Sequence, residues 1–204
     1  MVLGSLVIGV VLGAEPSAAS AWVVAAQREN VTVYARDRQD SGLQELRAEG
    51  VIEAPPEKVW KILRDYERYA NRMPYVQEAR TVGEERGGKI SYVYTILALP
   101  MVHRRDYVLR LVDESEWNGS QGFLKISWSV DNARAPEKPP DVVRMTLNVG
   151  SWLLEPVAGG RSTRVVYSLH CDPGGGLPKW IAKMGNGTAV PEVFAALQRT
   201  AKSL

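Results

Sequence analysis

Two histidines and a single cysteine are the side chains in this 204-residue sequence that most often carry catalytic or metal chemistry. His103 and His170 lie in neither an H-E-x-x-H pattern nor a paired-cysteine arrangement, so their spacing indicates no metal site. His170 and Cys171 are neighbours on a predicted strand, which directs them to opposite faces and prevents a nucleophile–base pair. His103 could donate a proton, but its loop position beside Arg104 and Arg105 disfavours that role. We therefore predict no catalytic residue, no metal and no cofactor.

A glycine-rich stretch, DPGGGLP at residues 172–178, has the composition of a phosphate-binding loop. Such loops carry a Lys-Ser or Lys-Thr pair directly after their glycines, and this stretch has neither. A tight turn between a strand and a helix is the better interpretation.

Arg105 is the charged residue whose position is most informative. The run RRDYVLRLV alternates as a strand, and we assign one of its two faces to the protein interior. A buried guanidinium needs a partner, since an unpaired charge in the interior is very costly. Two interpretations remain open: a bond to Asp106, another acid or the end of a strand, and a polar handle for a ligand head group, aided by Tyr92 or Tyr94. The interior set of this strand is Arg105, Tyr107, Leu109 and Leu111.

Period-two alternation, interrupted by glycine-containing turns, predicts strands along most of the chain. One helix follows Pro55 and Pro56, where apolar residues recur at helical spacing from Val59 to Ala70. With a further helix at the C-terminus, this order predicts an α+β fold in which one antiparallel sheet curls around one helix. The predicted strands span residues 31–37, 43–54, 76–82, 89–97, 105–112, 122–130, 142–155 and 163–171.

The C-terminal segment has the pattern of a long amphipathic helix. Gly185, Gly187 and Pro191 interrupt its apolar stripe, and each weakens a helix through backbone freedom or the loss of a donor. We therefore expect this helix to be bent and locally soft. The stripe consists of Trp180, Ile181, Met184, Val190, Val193, Phe194 and Leu197.

Composition and charge indicate a single globular domain. The chain is 45% hydrophobic and 24% charged, and its formal net charge of +2 comes from interleaved acidic and basic residues. This distribution lacks the basic patch that nucleic-acid binding requires. We expect a monomer that does not bind nucleic acid.

The N-terminus differs in composition from the rest of the chain. An uncharged apolar run at residues 2–13 leads into AEPSAASA, which is typical of a signal peptide cleaved after Ala21. We predict a signal peptide at residues 1–21, a domain at residues 22–204, and export to the periplasm or the medium. No basic residue precedes Arg28, so an uncleaved membrane anchor and a hydrophobic cap on the fold remain alternatives.

Four stretches resemble START (StAR-related lipid-transfer) domains of the helix-grip superfamily, which also includes birch-pollen allergens and polyketide cyclases. They are EAPPEKVWKILRDYERYANRMPYV, RRDYV, WLLEPV and TRVVYSLHCDPGGGLPKWI, and the similarity covers residues 30–203. The resemblance implies a curved antiparallel sheet wrapped around a long C-terminal helix, enclosing an apolar tunnel for one lipid. Steroidogenic members carry a buried acid–base pair at the positions of Tyr92 and Leu111, and neither is charged here, which puts cholesterol specificity in doubt.

Strand alternation proposes which side chains face that tunnel, although it does not separate a cavity wall from a solid core. Besides the set from Arg105 to Leu111, we assign inward Ile90, Tyr92, Tyr94, Ile96, Ile126, Trp128, Met145, Leu147, Val165, Tyr167 and Leu169. The candidate ligand-binding residues are Tyr92, Tyr94, Arg105, Tyr107, Leu109, Trp128, Met145, Leu147, Tyr167, Trp180, Met184 and Phe194.

The stretch LALPMV is unusually apolar for a segment between two strands. We predict that it forms a gate whose apolar side chains pack against the C-terminal helix when closed. The gate residues are Leu99, Pro100, Met101 and Val102. The function predicted is non-enzymatic binding and transfer of a lipid or other hydrophobic small molecule, with transient membrane contact. A helix-grip aromatase or cyclase, and a protein-interaction module of the same fold, remain the alternatives.

Overall fold

The computed structural model describes residues 20–28, 30–176 and 185–204, which form one large curved sheet with helices on one side. In these residues eleven strands join in the sheet. They are β1 (Val23–Arg28), β2 (Val31–Asp37), β3 (Gln44–Ile52), β4 (Val76–Glu85), β5 (Ile90–Leu97), β6 (Arg104–Asp113), β7 (Glu116–Trp117), β8 (Gly122–Val130), β9 (Val142–Arg144), β10 (Leu147–Val157) and β11 (Ser162–Asp172).

The sheet is antiparallel along its main path, in the order β1-β2-β3-β11-β10-β8-β6-β5-β4. The short strand β7 pairs with β8, and β9 pairs with the start of β6 in a parallel register. Consecutive strands are mostly neighbours joined by tight turns, as expected of an antiparallel sheet. The α+β, helix-grip fold class predicted from the sequence is confirmed.

Helix α1 (Pro56–Arg64) begins at a proline, where the missing N–H costs no helical hydrogen bond. Its buried residues Val59, Ile62 and Leu63 recur at helical spacing and face the sheet. A 3₁₀ turn at Tyr66–Arg68 and the short helix α2 (Tyr69–Arg72) then lead the chain into β4.

The C-terminal helix α3 (Val190–Ser203) follows a π-helical turn at Gly185–Ala189. The two glycines expected to weaken the helix lie in this turn, where backbone freedom permits the wider winding. Helix α3 buries Val190, Phe194 and Leu197 and contacts α1, β2 and β3. Within the residues that the structure describes, no helix combines the length and the apolar composition needed to cross a bilayer.

Two hydrophobic clusters lie on opposite faces of the sheet. The larger one fills the space between α1, α3 and the face that we call the inner face, with Leu111, Leu124 and Leu154 among its members. A smaller one lies on the outer face, where residues before β9 cover β5. It consists of Ile90, Tyr92, Tyr94, Ile96 and Val108, with Val82 and Ala135 beside them.

Two elements differ from the sequence-based expectation. Strand β1 was not predicted, because its run VVAAQR shows no alternation. The single strand predicted at 142–155 is two strands, since the chain leaves the sheet at Met145 and Thr146 between β9 and β10. After that break, the alternation of inward and outward side chains is shifted by one residue. The shift changes which residues of β10 face the helices.

Candidate functional site

The strand register decides which candidate residues face the helices. Tyr107 lies opposite Thr95, and Leu109 lies opposite Val93 and Val130. Val93 and Leu109 both belong to the cluster beneath the helices, so this set occupies the inner face as predicted. Directly paired residues of antiparallel strands project to the same side. Trp128, Tyr167 and Leu169 share that face through the registers of β8, β10 and β11.

Tyr92 and Tyr94 lie on the outer face, opposite Arg110 and Val108. Their assignment to the same side as Tyr107 is therefore wrong, and so is that of Ile90 and Ile96, which alternate with the same residues. The reason is that β5 is buried on both faces, so hydrophobicity does not distinguish one side from the other.

The two outer tyrosines stabilise the smaller cluster through polar contacts. The Tyr94 hydroxyl donates to Asp106 Oδ2 over 3.1 Å, and the Tyr92 hydroxyl donates to Glu85 Oε1 over 3.0 Å. The Arg134 guanidinium lies 3.9 Å from the ring centre of Tyr92. Burial, reinforced by the Asp106 carboxylate, raises the pKa of Tyr94 to about 12.

Leu147 also projects outward, contrary to its predicted position. It is the neighbour of Asn148, whose Oδ1 accepts a hydrogen bond from Trp128 Nε1 over 2.9 Å on the inner face. Because the chain breaks before β10, Asn148 takes the inward position that the sequence assigned to Leu147, and Gly150 and Trp152 follow it on the inner face. Met145 precedes the break, is buried, and donates its N–H to the Asp106 carbonyl over 2.9 Å.

Four aromatic rings form a continuous wall between the inner face and α3. The ring centres of Trp152 and Tyr167 are 4.2 Å apart, those of Trp128 and Tyr167 are 5.9 Å apart, and those of Trp152 and Phe194 are 6.0 Å apart. Gly150 makes room for Trp128, since a Cβ at Gly150 would lie 2.4 Å from the indole ring. Sequence analysis missed Trp152, although its alternation with Leu154 in WLLEPV was visible.

Several side chains on the inner face are only half-buried. Leu109, Tyr167, Leu169 and Cys171 all retain accessible surface. Burial raises the pKa of the Cys171 thiol to about 11, and it raises the pKa of the Tyr167 hydroxyl well above its usual value. We call the region that these side chains line the inner chamber.

Small residues of β5 leave room for the inner chamber. The strand directs Ser91, Val93 and Thr95 inward and keeps its larger tyrosines on the outer face. From the helix side, Tyr69 and Met73 pack against the main cluster and remain half-buried. The chamber is therefore lined mainly by apolar and aromatic groups.

Arg105 lies at one end of the inner face and is only 1% exposed. Its Nε donates to the Pro173 carbonyl over 3.2 Å, its Nη1 donates to the His103 carbonyl, and its Nη2 lies 3.4 Å from the Gly174 carbonyl. These carbonyls belong to the loop before β6 and the loop after β11, so Arg105 joins the two loops. Of the two interpretations, this geometry matches a bond to the end of a strand. Burial lowers the pKa of Arg105.

Asp106 projects to the other side of β6 and pairs with Arg144 of β9. Arg144 donates to the two carboxylate oxygens over 3.2 and 2.6 Å, and to the Pro136 carbonyl over 3.0 Å. The Asp106 carboxylate raises the pKa of Arg144. This pair fastens β9 and the preceding loop to the outer face, and the sequence did not identify Arg144 as its partner.

The loop between β5 and β6 contains the predicted gate. Met101 is 82% exposed with φ of 61°, and Pro100 before it is also exposed. A positive φ after proline occurs in type II turns, and here the turn directs Met101 into solvent. The expectation that Met101 packs against the C-terminal helix is therefore wrong. Leu99 and Val102 are half-buried.

Trp180 and Met184, the two remaining candidate ligand-binding residues, lie outside the described residues. His103 is exposed, whereas His170 is buried with Nδ1 3.3 Å from the Gln44 carbonyl. In the described ranges, no group of three His, Cys, Asp or Glu side chains is placed to hold a metal ion.

Comparison with known proteins gives a consistent set of similarities. A family model described as polyketide cyclase/dehydrase and lipid transport matches residues 52–198. The chain is 26% identical over 182 residues to uncharacterized protein PA1579 of Pseudomonas aeruginosa, covering 89% of this chain and 85% of that protein. It is 25% identical over 175 residues to phosphatidylcholine transfer protein of Bos taurus, covering 84% and 80%. The solved STAR-related lipid transfer protein of Xanthomonas axonopodis has a TM-score of 0.77 at 27% identity, covering 89% of this chain and 98% of that one.

Proposed function

Since the chain belongs to the polyketide cyclase/dehydrase and lipid transport family, we propose that it binds a lipid in the inner chamber and transfers it between membranes. The resemblance to START domains predicted from the sequence is confirmed. The observation that carries the proposal is the accessible surface that Leu109, Tyr167 and Leu169 retain on the inner face, beneath the helices. The Bos taurus relative, a phosphatidylcholine transfer protein, supports the same conclusion.

Energetics explain why such a chamber suffices for transfer. Moving one CH₂ group from water to an apolar site is worth about 0.8 kcal/mol, so a 16-carbon chain represents about 13 kcal/mol. That free energy opposes the escape of a lipid from a bilayer into water. A chamber as apolar as the bilayer interior accepts the chain at nearly constant free energy and requires no catalytic group.

Cyclase activity is the runner-up function, and the inner-face titratable groups argue against it. Burial raises the pKa of Tyr69, Tyr107 and Tyr167, so these hydroxyls stay protonated at neutral pH. The same holds for the Cys171 thiol, with its pKa of about 11. A general base for proton abstraction works best with a pKa near the operating pH. These groups are better suited to lining a chamber than to catalysis.

The direct test is native mass spectrometry of protein isolated without detergent, followed by lipid extraction. We expect one lipid per chain, because a dry chamber of apolar side chains retains its occupant during purification. A cyclase would instead arrive empty and turn over a polyketide-like substrate. Empty protein that also fails to take up lipid from vesicles would favour an interaction module with a filled interior.

Replacement of Met101 with glutamate is expected to slow lipid transfer between anionic vesicles roughly tenfold. We propose that the exposed loop tip inserts into the membrane, where burial of one methionine is worth about 1.5–3 kcal/mol. His103 and Arg104 beside it favour anionic head groups, each basic residue being worth about 1 kcal/mol near the surface. The measurement is the transfer rate of a fluorescent phospholipid between vesicle populations.

The matched control for the loop is Val24→Glu, which places the same charge on an exposed valine of β1. It should leave the transfer rate unchanged. Equal slowing by both substitutions would indicate a general effect of negative charge and would exclude Met101 as the membrane contact.

Export is a second proposal that follows from the sequence pattern. Cleavage after Ala21 would leave a mature chain beginning at Trp22, whose ring lies 4.5 Å from the Arg36 guanidinium and so is already part of the domain. We expect protein purified from its native host to show an N-terminal sequence starting near Trp22. Intact Met1 on membrane-bound protein would support the anchor alternative, and intact Met1 on cytosolic protein would exclude export.

A further inference from the structure

A surface groove of about 520 Å³ follows one flank of α3, between this helix and the turn that joins β1 to β2. We call it the flank groove. Val31, Ile52, Pro191 and Phe194 contribute an apolar floor. Its volume lies within the range of small-molecule sites. Phe194 lines the groove and is also the α3 member of the aromatic wall, whereas Leu109, Tyr167 and Leu169 of the inner chamber do not line the groove.

Two arginines line the groove beside this apolar floor. Arg28 ends β1 and Arg199 lies on α3, and both are exposed. Arg28 donates to the Gln27 carbonyl over 3.3 Å, and neither guanidinium forms an ion pair with a carboxylate of the described residues. Glu192 also lines the groove, but it accepts a hydrogen bond from the Tyr75 hydroxyl, which raises the pKa of Tyr75. Among the described residues that line the groove, two positive charges therefore stand against one carboxylate, and that carboxylate is already hydrogen-bonded.

We propose that the flank groove binds a single-chain carboxylic amphiphile of the fatty-acid class. Guanidinium groups match carboxylates through paired charge-assisted hydrogen bonds. Within the described residues, neither Arg28 nor Arg199 is bound to a carboxylate. The groove follows α3 from Pro191 to Arg199, about 12 Å at 1.5 Å per residue, and this elongated form suits an alkyl chain rather than a compact ring. The apolar floor packs against the alkyl chain of the ligand, and the arginines bind its carboxylate head group. The site is independent of the lipid proposed for the inner chamber.

The test uses the full chain and a photoreactive dodecanoate carrying a diazirine on its chain. After irradiation, peptide mapping should place crosslinks on Pro191 and Ala195 of the groove. The variant that replaces both Arg28 and Arg199 with alanine should bind dodecanoate about tenfold more weakly, since it loses the charge-assisted hydrogen bonds that two exposed guanidinium groups make to the carboxylate. Dodecyltrimethylammonium has the same chain and the opposite charge, and its affinity should not fall in that variant.

Two further variants complete the experiment. Arg86→Ala removes an exposed arginine of the turn between β4 and β5, at the other end of the strand order from β1 and β2, and should leave dodecanoate affinity unchanged. Ala195→Phe fills the groove and should abolish the groove crosslinks while circular dichroism shows an intact fold. Crosslinks confined to Tyr107 and Tyr167 would overturn the groove proposal and leave the inner-chamber proposal standing. Groove crosslinks on protein that carries no lipid would support the groove and contradict the proposed function.

Discussion

Replacement of Asp106 with asparagine is expected to lower the free energy of unfolding by about 3 kcal/mol, because it removes one partner of a buried ion pair. The Asp106 side chain is 0% exposed and accepts hydrogen bonds from Arg144 and Tyr94. Asparagine offers one acceptor oxygen in place of two and leaves the guanidinium charge without its counterion. The Arg144 side chain is 22% exposed, so partial hydration keeps the loss at the lower end of the 3–5 kcal/mol range.

Urea unfolding provides the measurement, with a shift of the midpoint at unchanged slope as the sign of altered stability. Glu53→Gln is the matched control, since it makes the same carboxylate-to-amide change in an ion pair with Lys202 whose side chains are both 62% exposed. Exposed pairs contribute about 0–1 kcal/mol, so this variant should unfold nearly as the parent does. Equal effects of the two substitutions would show that the Asp106 pair does not fasten β9 to the sheet.

Replacement of Leu109 with tryptophan is expected to empty the inner chamber of lipid. Leu109 is half-buried on the inner face, so a larger ring at this position occupies space that a ligand would use. If the ring displaces about four methylene groups, the ligand loses about 3 kcal/mol, or roughly a hundredfold in affinity. Native mass spectrometry should then find the variant without the lipid that accompanies the parent protein.

Stability measurements on the same variant decide between a chamber and a solid core. In a chamber the indole fits without strain, whereas in a filled core overpacking costs about 1–3 kcal/mol. Val149→Trp adds the same ring on the outer side of the sheet, where Val149 is 44% exposed, and should affect neither lipid content nor stability. Lipid retained by the Leu109 variant would place the binding site elsewhere.

Local patterns in the chain were sufficient to predict most of the fold. Strands β2, β6 and β8 agree with the predicted ranges to within a residue or two, because their period-two alternation and glycine turns are properties of the local sequence. Pro55 and Pro56 predicted the start of α1, because a proline in the first turn of a helix is also a local signal. The order of these elements, together with the resemblance of four stretches to START domains, predicted the START-like architecture.

The orientation of β5 could not be predicted from its own residues. Both of its faces are buried, so the alternation of Ser91, Tyr92, Val93 and Tyr94 fits either orientation. The structure resolves the choice because the loop before β9 covers the tyrosines and leaves the smaller residues facing inward. The predicted direction of Leu147 was wrong for a different reason, since it depends on the break in the chain between β9 and β10.

The sequence by itself determined most of the elements, their order and the inward face of β6, since these follow from local periodicity and turn chemistry. Only the tertiary structure decided the partners of the buried charges and the positions of the cavities. Arg105 bonds to carbonyls 68 and 69 residues away, and Asp106 to an arginine 38 residues away. The flank groove exists only where α3 meets the turn between β1 and β2. Contacts between such distant segments are set by how the sheet curves around the helix, and no local pattern of residues encodes them.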